Sequence, residues 1–512
     1  MQIVDNKAVL LKLRDPEKVT TVIPKSKQLS GNSVLVKWGL DEALVLKNLN
    51  INIPSPIQAT YKWPGLHKPF AHQIETSSFL TVHKRGFCFS DMGTGKTASA
   101  IWASDYLLQQ GRINRVLVIC PLSIMGSAWK ADLFKFAMHR TVDIAYHKNA
   151  AKRKQIVADG AEYVIINYDG IHIVRDEIAA GGFDLIIVDE ATHYKNPRTD
   201  RWKVLHSLIK SDTWLWLMTG TPAAQSPLDA YGLAKIVNPA SVPRFYGSYR
   251  DMVMTKITQF KWIPKPDATA TVHDILQPAI RFTKDECLDL PEMVYVYRDV
   301  EMSRQQRRYY EKLRKYMVME AAEKQVTAVN AAVNMNKLLQ ISCGAVYTDD
   351  KEVLEFDIKE RYKVLKEVID ESSKKVLVFV PFRHVTEVLT EKLAKDGIST
   401  EVISGSVSVG KRTDIFNRFQ TKTDPRVLLI QPKAAAHGVT LTAANTVVWW
   451  GPTSSLETYL QANARVHRTG QDHKCTVVHL QSSNVEKRVY VTLDKRIDAH
   501  SKILDLYKEI LE

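Results

Sequence analysis

The sequence predicts an α/β protein of two parallel-sheet lobes, joined by a helical insert and preceded by a small accessory segment. Three observations predict it. Short apolar runs alternate with helix-patterned segments over 59–240, the rhythm stops over 241–355, and it resumes over 356–512. Short continuous apolar strands alternating with amphipathic helices indicate a parallel sheet covered on both faces. A chain of 512 residues is also too long for a single core, at roughly 150 residues per domain.

The accessory segment is 1–58, where NSVLVKWG and NINIPSP suggest short strands with turn signals between them. From KWPGLHKPFAHQ onward the first lobe begins. GFCFS is followed by the helical TASAIWASDYLLQQ and RVLVICP by AWKADLFKFA; EYVIINY, DLIIVDE and WLWLMTGTP are further strands. The insert is polar, basic and helix-patterned, as in RQQRRYYEKLRKYMVMEAAEK. The second lobe then runs KVLVFVP, VTEVLTEKLAKDG, STEVIS, KRTDIFNRFQ, RVLLIQP, NTVVWWGP and TVVHLQ, with a C-terminal helix after it. No short internal repeat is visible.

Composition narrows the functional classes. Hydrophobic residues are 45% and charged residues 25%, as in soluble globular proteins. Lys and Arg number 70 against 56 Asp and Glu, a formal charge of +14. Such an excess favours a polyanionic partner, because each neutralised phosphate releases condensed counterions. The basic residues are spread along the chain, without a basic tail. Five cysteines (Cys88, Cys120, Cys287, Cys343, Cys475) lie far apart with no C-x-x-C pair. That argues for a reducing compartment and against a disulfide framework or structural zinc. Neither a signal-peptide core nor a membrane span is evident, so a soluble intracellular protein is expected.

The chemistry begins where GFCFS runs into DMGTGKT and a helix. A glycine-rich turn between strand and helix points successive backbone N–H groups at phosphate oxygens, and the helix amino end adds positive potential. Met92, Gly93, Thr94 and Gly95 would form the cradle, Lys96 would reach the β and γ phosphates, and Thr97 would ligate Mg²⁺. Ser90 stands where the strict phosphate-loop pattern has its first glycine. DLIIVDE ends in two carboxylates, Asp189 for the Mg²⁺ water shell and Glu190 to polarise an attacking water. Alone such an ending is a common surface cap; about ninety residues after Lys96 in an alternating α/β segment, it reads as the second half of a nucleotide site. Near the other end, QANARVHRTGQ spaces Gln461, Arg465 and Arg468 by four and three, one face of a helix turn. An arginine finger contributes ~10³ to 10⁵ in phosphoryl-transfer rate. The first lobe shows no evident candidate, so Arg465 and Arg468 are expected to supply it as the lobes close over ATP.

In order over about 66–495, these segments resemble a superfamily 2 helicase-type ATPase of the Swi/Snf-like DNA translocase family. LHKPFAHQ is similar to the adenine-reading Gln motif, carried over as Gln73; DMGTGKT resembles motif I, CPLSIMGSAWKADLFKF motif Ia, and DEATHYKN motif II with Lys195 and Asn196. LMTGTP resembles motif III, VLVFVPF motif IV, HGVTLTAANTVVWW motif V and QANARVHRTGQ motif VI, whose RTGQ ending is the most specific. The resemblance implies two RecA-like lobes, ATP and Mg²⁺ as cofactors, and Glu190, Gln461, Arg465 and Arg468 as the catalytic groups.

Three departures stand out. Thr192 replaces the usual His of motif II, AAQS follows GTP, and WWGP replaces a frequent acidic residue before Pro; Trp449 and Trp450 read as core. The resemblance also implies DNA, duplex favoured, across both lobes. Ser123, Thr219, Thr440 and Thr442 are the candidate backbone contacts, since hydroxyls bind phosphate without reading sequence; each could equally be a cap or turn former. Arg304, Arg307 and Arg308 of the insert are expected on a solvated face. The expected function is ATP-dependent translocation along double-stranded DNA in repair, recombination or fork remodelling, by a monomer in a bacterial or phage-infected cytoplasm, with the nucleus as the alternative compartment. A strand-separating helicase, a restriction-type motor and an ATP-gated DNA-binding scaffold are the alternatives.

Overall fold

The computed structural model describes residues 1–496, other than 66, 221, 224–225, 259–261, 288, 324–327, 348–351 and 435–438. The chain divides into two compact units, Met1–Ala223 with Pro227–Cys287, and Ala224–Ser226 with Leu288–Glu512.

The first unit opens with a small antiparallel sheet of β1 (Gln2–Val4), β2 (Ala8–Lys12), β3 (Lys27–Gln28) and β4 (Ser33–Lys37), in the order β1-β2-β4-β3. Side chains alternate faces along a strand. Val9 and Leu11 of β2 and Val34 and Val36 of β4 therefore point one way, into a core shared with Leu46, Leu80 and Trp102. NSVLVKWG thus supplies β4, whereas NINIPSP is not a strand. Pro54 and Pro56 have no N–H to give a ladder, and the Pro54 carbonyl instead accepts from Trp38 Nε1 at 2.8 Å.

The first large sheet contains β5 (Arg85–Cys88), β6 (Val116–Cys120), β7 (Val142–Ile144), β8 (Tyr163–Asn167), β9 (Leu185–Asp189) and β10 (Trp214–Met218). A hairpin, β11 (Met254–Lys256) with β12 (Trp262–Pro264), precedes the last strand, β13 (Ala279–Ile280). All seven strands are parallel, in the order β13-β5-β10-β9-β6-β8-β7. Every residue of β6, β9 and β10 is buried, as expected of strands covered on both faces.

The second unit repeats the plan. β14 (Met293–Asp299) is followed by a hairpin of β15 (Ala345–Tyr347) and β16 (Val353–Glu355), then β17 (Lys375–Phe379), β18 (Thr400–Ile403), β19 (Val427–Ile430), β20 (Ala444–Trp449) and β21 (Cys475–Gln481). The parallel order is β14-β21-β20-β17-β19-β18. Trp449 and Trp450 are wholly buried, with their indole N–H groups donating to Asn463 Oδ1 and the Cys343 carbonyl. Arg361, 3% exposed, pairs with the buried Glu486 at 2.6 Å and donates to the Ser342 and Leu480 carbonyls. Breaking such a buried pair costs about 3–5 kcal/mol, so it pins helix Lys359–Glu371 to helix Asn484–Asp494, which follows β21.

The stretch 241–355, expected to be largely helical, does hold helices Tyr246–Val253, Ala268–Ile275, Arg304–Glu323 and Ala328–Cys343. It also supplies β13 to the first sheet and β14 to the second. Among the described residues no helix is long and apolar enough to cross a membrane, and no cluster of three or more His, Cys, Asp or Glu is placed to hold a metal ion.

Candidate active site

Sheet register assembles the site in the first unit. Cys88 pairs with Met218, and Met218 pairs with Asp189. The end of β5 and the tip of β9 are therefore level, two strand spacings or about 10 Å apart. The phosphate-loop segment and the carboxylates leave the same sheet edge, where parallel α/β folds bind ligands.

The loop is shaped by two glycines with left-handed backbone, Gly93 at φ 87° and Gly95 at φ 83°. Side chains disfavour that region. At Gly95 there is a second constraint, since a Cβ there would lie 2.1 Å from Gln73 Nε2. Gly95 caps helix Lys96–Gln109, so the loop amides and the helix amino end converge as an anion cradle requires. Lys96 Nζ donates to the Ser90 and Asp91 carbonyls at 2.7 and 3.1 Å, and Thr94 Oγ1 donates to the Asp91 carbonyl at 2.8 Å. Thr97, half-buried, is the second residue of the helix. Met92 lies against the turn after β10, where a Cβ at Gly220 would come 3.5 Å from its Cγ.

Gln73 is bound from both sides. Its Oε1 accepts from Phe70 N–H at 3.0 Å, and its Nε2 donates to the Thr94 carbonyl at 3.2 Å. His72 Nε2 lies 2.7 Å from the same carbonyl. The amino end of helix Ala71–Val82 is thereby fastened to the phosphate loop.

Asp189 is 8% exposed. Burial raises its carboxyl above the usual carboxylate range, while the Trp129 indole, the Lys96 ammonium and the Glu190 N–H pull the other way. Trp129 Nε1 donates to Oδ2 at 2.9 Å and Glu190 N–H to Oδ1 at 3.0 Å. Glu190 has φ 49°, left-handed for a residue with a Cβ, a strain that clusters at functional sites. The Tyr168 hydroxyl holds the turn by donating to the Asp189 carbonyl at 2.7 Å, with the Glu190 carbonyl at 3.4 Å. Thr192 lies in the 3₁₀ turn Ala191–Tyr194 that follows. Lys195 pairs with Asp229 at 3.2 Å, and Asn196 Oδ1 accepts from Arg198 N–H.

Trp129 and Tyr168 were not picked out by the sequence. Trp129 lies on the π-helix Met125–Lys130, a form frequent at functional sites. The signal available was the Trp within GSAWKADL, but sequence spacing gives no hint of its carboxylate partner.

In the second unit the expected helical face is corrected. Helix Leu456–Asn463 carries Gln461 but ends before Arg465 and Arg468, which lie in the turns beyond it. The i→i−4 ladder shortens as Arg465 N–H bonds the Ala462 carbonyl, and Leu441 N–H takes the Arg465 carbonyl at 2.9 Å. His467 Nε2 to the Pro291 carbonyl, and Gln471 Nε2 to those of Ala444 and Val466, draw the chain off the helix axis. Gly470 at φ 91° completes the turn. Gln461 and Arg465 are nearly buried, at 4% and 6% exposed. Arg468 is half-buried and donates to the Val439 carbonyl at 3.3 Å, while Gln461 Nε2 donates to Glu457 Oε1 at 3.1 Å.

The candidate DNA contacts scatter in character. Thr440 is exposed; Thr442 is half-buried and accepts from Gln420 Nε2 at 2.9 Å. Ser123 occupies the 3₁₀ turn Leu122–Ile124 directly after β6, its side chain outside those described. Thr219 is wholly buried between the ends of β5 and β9, its N–H donating to the Cys88 carbonyl. Its hydroxyl therefore offers no surface to a backbone phosphate in this structure. Arg304, Arg307 and Arg308 are exposed on helix Arg304–Glu323. His437 and Gly438 of motif V, and Ala224 and Gln225 of AAQS, lie outside the described residues.

Comparison with known proteins gives the family. A model of the SNF2-related domain matches residues 72–348, and one of the helicase conserved C-terminal domain matches 360–470. An uncharacterised ATP-dependent helicase of Mycoplasma genitalium is 27% identical over 82% of this chain and 40% of its own length. A putative protein of Acyrthosiphon pisum secondary endosymbiont phage 1 is 25% identical over 79% of this chain and 89% of its own. Mouse chromodomain-helicase-DNA-binding protein 1-like is 25% identical over 88% of this chain and 52% of its own. The chain thus spans about half or less of the Mycoplasma and mouse relatives, and most of the phage one. The solved SWI2/SNF2 ATPase core of Sulfolobus solfataricus with dsDNA is 21% identical over 88% of this chain and 97% of that one, with a TM-score of 0.41, too loose a superposition to bear on the site. With the first model covering more than half of its length, the chain, which carries two parallel α/β sheets, belongs to the SNF2-related family.

Proposed function

We propose that the chain is a DNA-stimulated ATP hydrolase that moves along double-stranded DNA, acting in repair, recombination or replication-fork remodelling. The observation that carries the reading is the level row Cys88–Met218–Asp189, which puts an anion cradle and a strained carboxylate turn on one sheet edge. In this reading 59–240 and 356–512 are the motor lobes, β13 and β14 of the 241–355 insert complete their sheets, and 1–58 is an accessory segment.

The loop amides of Gly93 to Thr97 bind phosphate oxygens, and Lys96 turns from the Ser90 and Asp91 carbonyls to the β and γ phosphates. Gln73, already tied to the Thr94 carbonyl, sets the adenine side of the site against the cradle. The Thr97 hydroxyl and the Asp189 carboxylate are hard oxygen donors that suit Mg²⁺; when bound, the ion neutralises charge on the phosphates. Trp129 and the Glu190 N–H fix which way Asp189 faces. Glu190 orients the attacking water and accepts its proton at a carboxylate oxygen. Arg465 and Arg468 supply positive charge to the γ-phosphate from the second lobe, with Gln461 beside them. Ser123, Thr440 and Thr442 hold the DNA backbone, a sequence-blind contact suited to stepping.

The test is displacement of a triplex-forming strand from duplex DNA with ATP, run beside unwinding of a forked duplex. Success in the first and failure in the second is expected. Unwinding of the fork without triplex displacement would replace this reading with that of a strand-separating helicase.

A further inference from the structure

The pairing of β5 with β13 does not stop where the strands end. Phe87 N–H donates to the Pro278 carbonyl at 3.0 Å, Phe89 N–H to that of Ile280 at 2.8 Å, and Asp91 N–H to that of Phe282 at 2.9 Å. The ladder thus runs into the phosphate loop. Two side chains close it: Ser90 Oγ accepts from Phe282 N–H at 3.1 Å, and Asp91 Oδ2 accepts from Lys284 N–H at 3.3 Å. Ser90 is 2% exposed, and a glycine, the residue of the strict phosphate-loop pattern at this position, has no oxygen to offer there.

The same two residues face the nucleotide side through their carbonyls, which hold Lys96 Nζ at 2.7 and 3.1 Å. The segment they grip on the other side ends the first unit, at Cys287. One short stretch of backbone therefore touches both the phosphate-binding ammonium and the chain on its way to the second unit.

We infer that Ser90 and Asp91 are positioning residues that couple the phosphate loop to the exit segment Phe282–Cys287. This rests on the nucleotide reading above. When Lys96 turns to a phosphate, the Ser90 and Asp91 carbonyls both lose the Lys96 ammonium, the Asp91 carbonyl keeping Thr94 Oγ1, and the shift is passed through the Ser90 hydroxyl and the Asp91 carboxylate to the exit segment. A discrete change of hydrogen bonds at the nucleotide thus biases the position of the inter-lobe chain, the kind of small shift that two-state domain motions amplify.

The test uses the full chain with ATP or a non-hydrolysable analogue, reading amide exchange at Phe282 and Lys284 beside ATP hydrolysis with and without duplex DNA. In the wild type the analogue changes exchange at Phe282. In Ser90→Ala that amide exchanges roughly fivefold faster, the worth of about one hydrogen bond, and no longer responds to the analogue. Analogue affinity stays near wild type, while stimulation by DNA falls severalfold. Asp91 is only half-buried, so Asp91→Ala reports without a folding penalty: it loses stimulation, and Asp91→Asn, which keeps an oxygen acceptor, retains it. Wild-type stimulation in Ser90→Ala and Asp91→Ala, or an undiminished response of Phe282 in Ser90→Ala, overturns the coupling. A wild-type chain that binds no nucleotide overturns the nucleotide reading together with it.

Discussion

Trp129→Phe isolates one interaction of the carboxylate turn. The indole is wholly buried and donates to Asp189 Oδ2 at 2.9 Å. Phenylalanine keeps an aromatic ring and removes the N–H. A hydrogen bond to a charged group contributes about 1.5–3 kcal/mol, and one pKa unit corresponds to about 1.4 kcal/mol. The Asp189 carboxyl, already raised by burial, therefore rises further once the indole N–H is gone. A larger fraction of Asp189 is then protonated at any acidic pH, so the acidic limb of ATP hydrolysis moves to higher pH, while the alkaline side is little changed. The assay is hydrolysis rate against pH at saturating Mg²⁺, ATP and duplex DNA, with a melting curve to confirm that the variant is folded. An acidic limb that stays in place in a folded variant would refute the assignment of Asp189 as a group that must be ionised.

Other sites give sharper yes-or-no outcomes. Gly95→Ala combines a left-handed φ of 83° with a Cβ 2.1 Å from Gln73 Nε2; nucleotide binding should fall by roughly five- to a hundredfold, since strain of this kind costs about 1–3 kcal/mol, and calorimetry showing normal affinity would contradict the cradle. Glu190→Gln should bind ATP at near-normal affinity yet fail to hydrolyse it, as a filter-binding and phosphate-release pair would show. His479, packed among Tyr297, Tyr459 and Tyr490, is pulled by burial from 6.5 to about 3, so it stays neutral in the folded chain while the unfolded chain protonates. The stability this contributes is complete above pH 6.5 and drains as pH falls toward 3, at up to about 1.4 kcal/mol per pH unit; denaturant titrations of His479→Phe should lose that slope, and an unaltered slope would count against it.

The sequence announced what local pattern encodes. GFCFS, RVLVICP and DLIIVDE are apolar runs long enough to be read as buried strands, and each became one. β13 is two residues long, and β14 exposes alternate residues, so neither carries the continuous apolar signature; their places come from pairing with distant strands. NINIPSP had the composition of a strand and lost it to two prolines. The spacing of Gln461, Arg465 and Arg468 suggested a helix, yet bonds from Leu441, Gln471 and His467 end it early. The phosphate-loop glycines were legible because only glycine suits their backbone. The partners of the loop and the carboxylates were not: Trp129 stands sixty residues before Asp189, and Phe282 far beyond Ser90, with no local spacing to link them.

The claim on which the rest depends is that one ATP is served by Lys96 of the first unit and Arg468 of the second. The direct measurement is ATP affinity and hydrolysis, with duplex DNA, single strands and RNA, in the wild type, Lys96→Ala and Arg468→Ala. Hydrolysis stimulated most by duplex, weak ATP binding in Lys96→Ala, and normal binding with a rate lower by about 10³ or more in Arg468→Ala are predicted. An Arg468→Ala chain that hydrolyses ATP at the wild-type rate, or equal stimulation by RNA, would contradict the account.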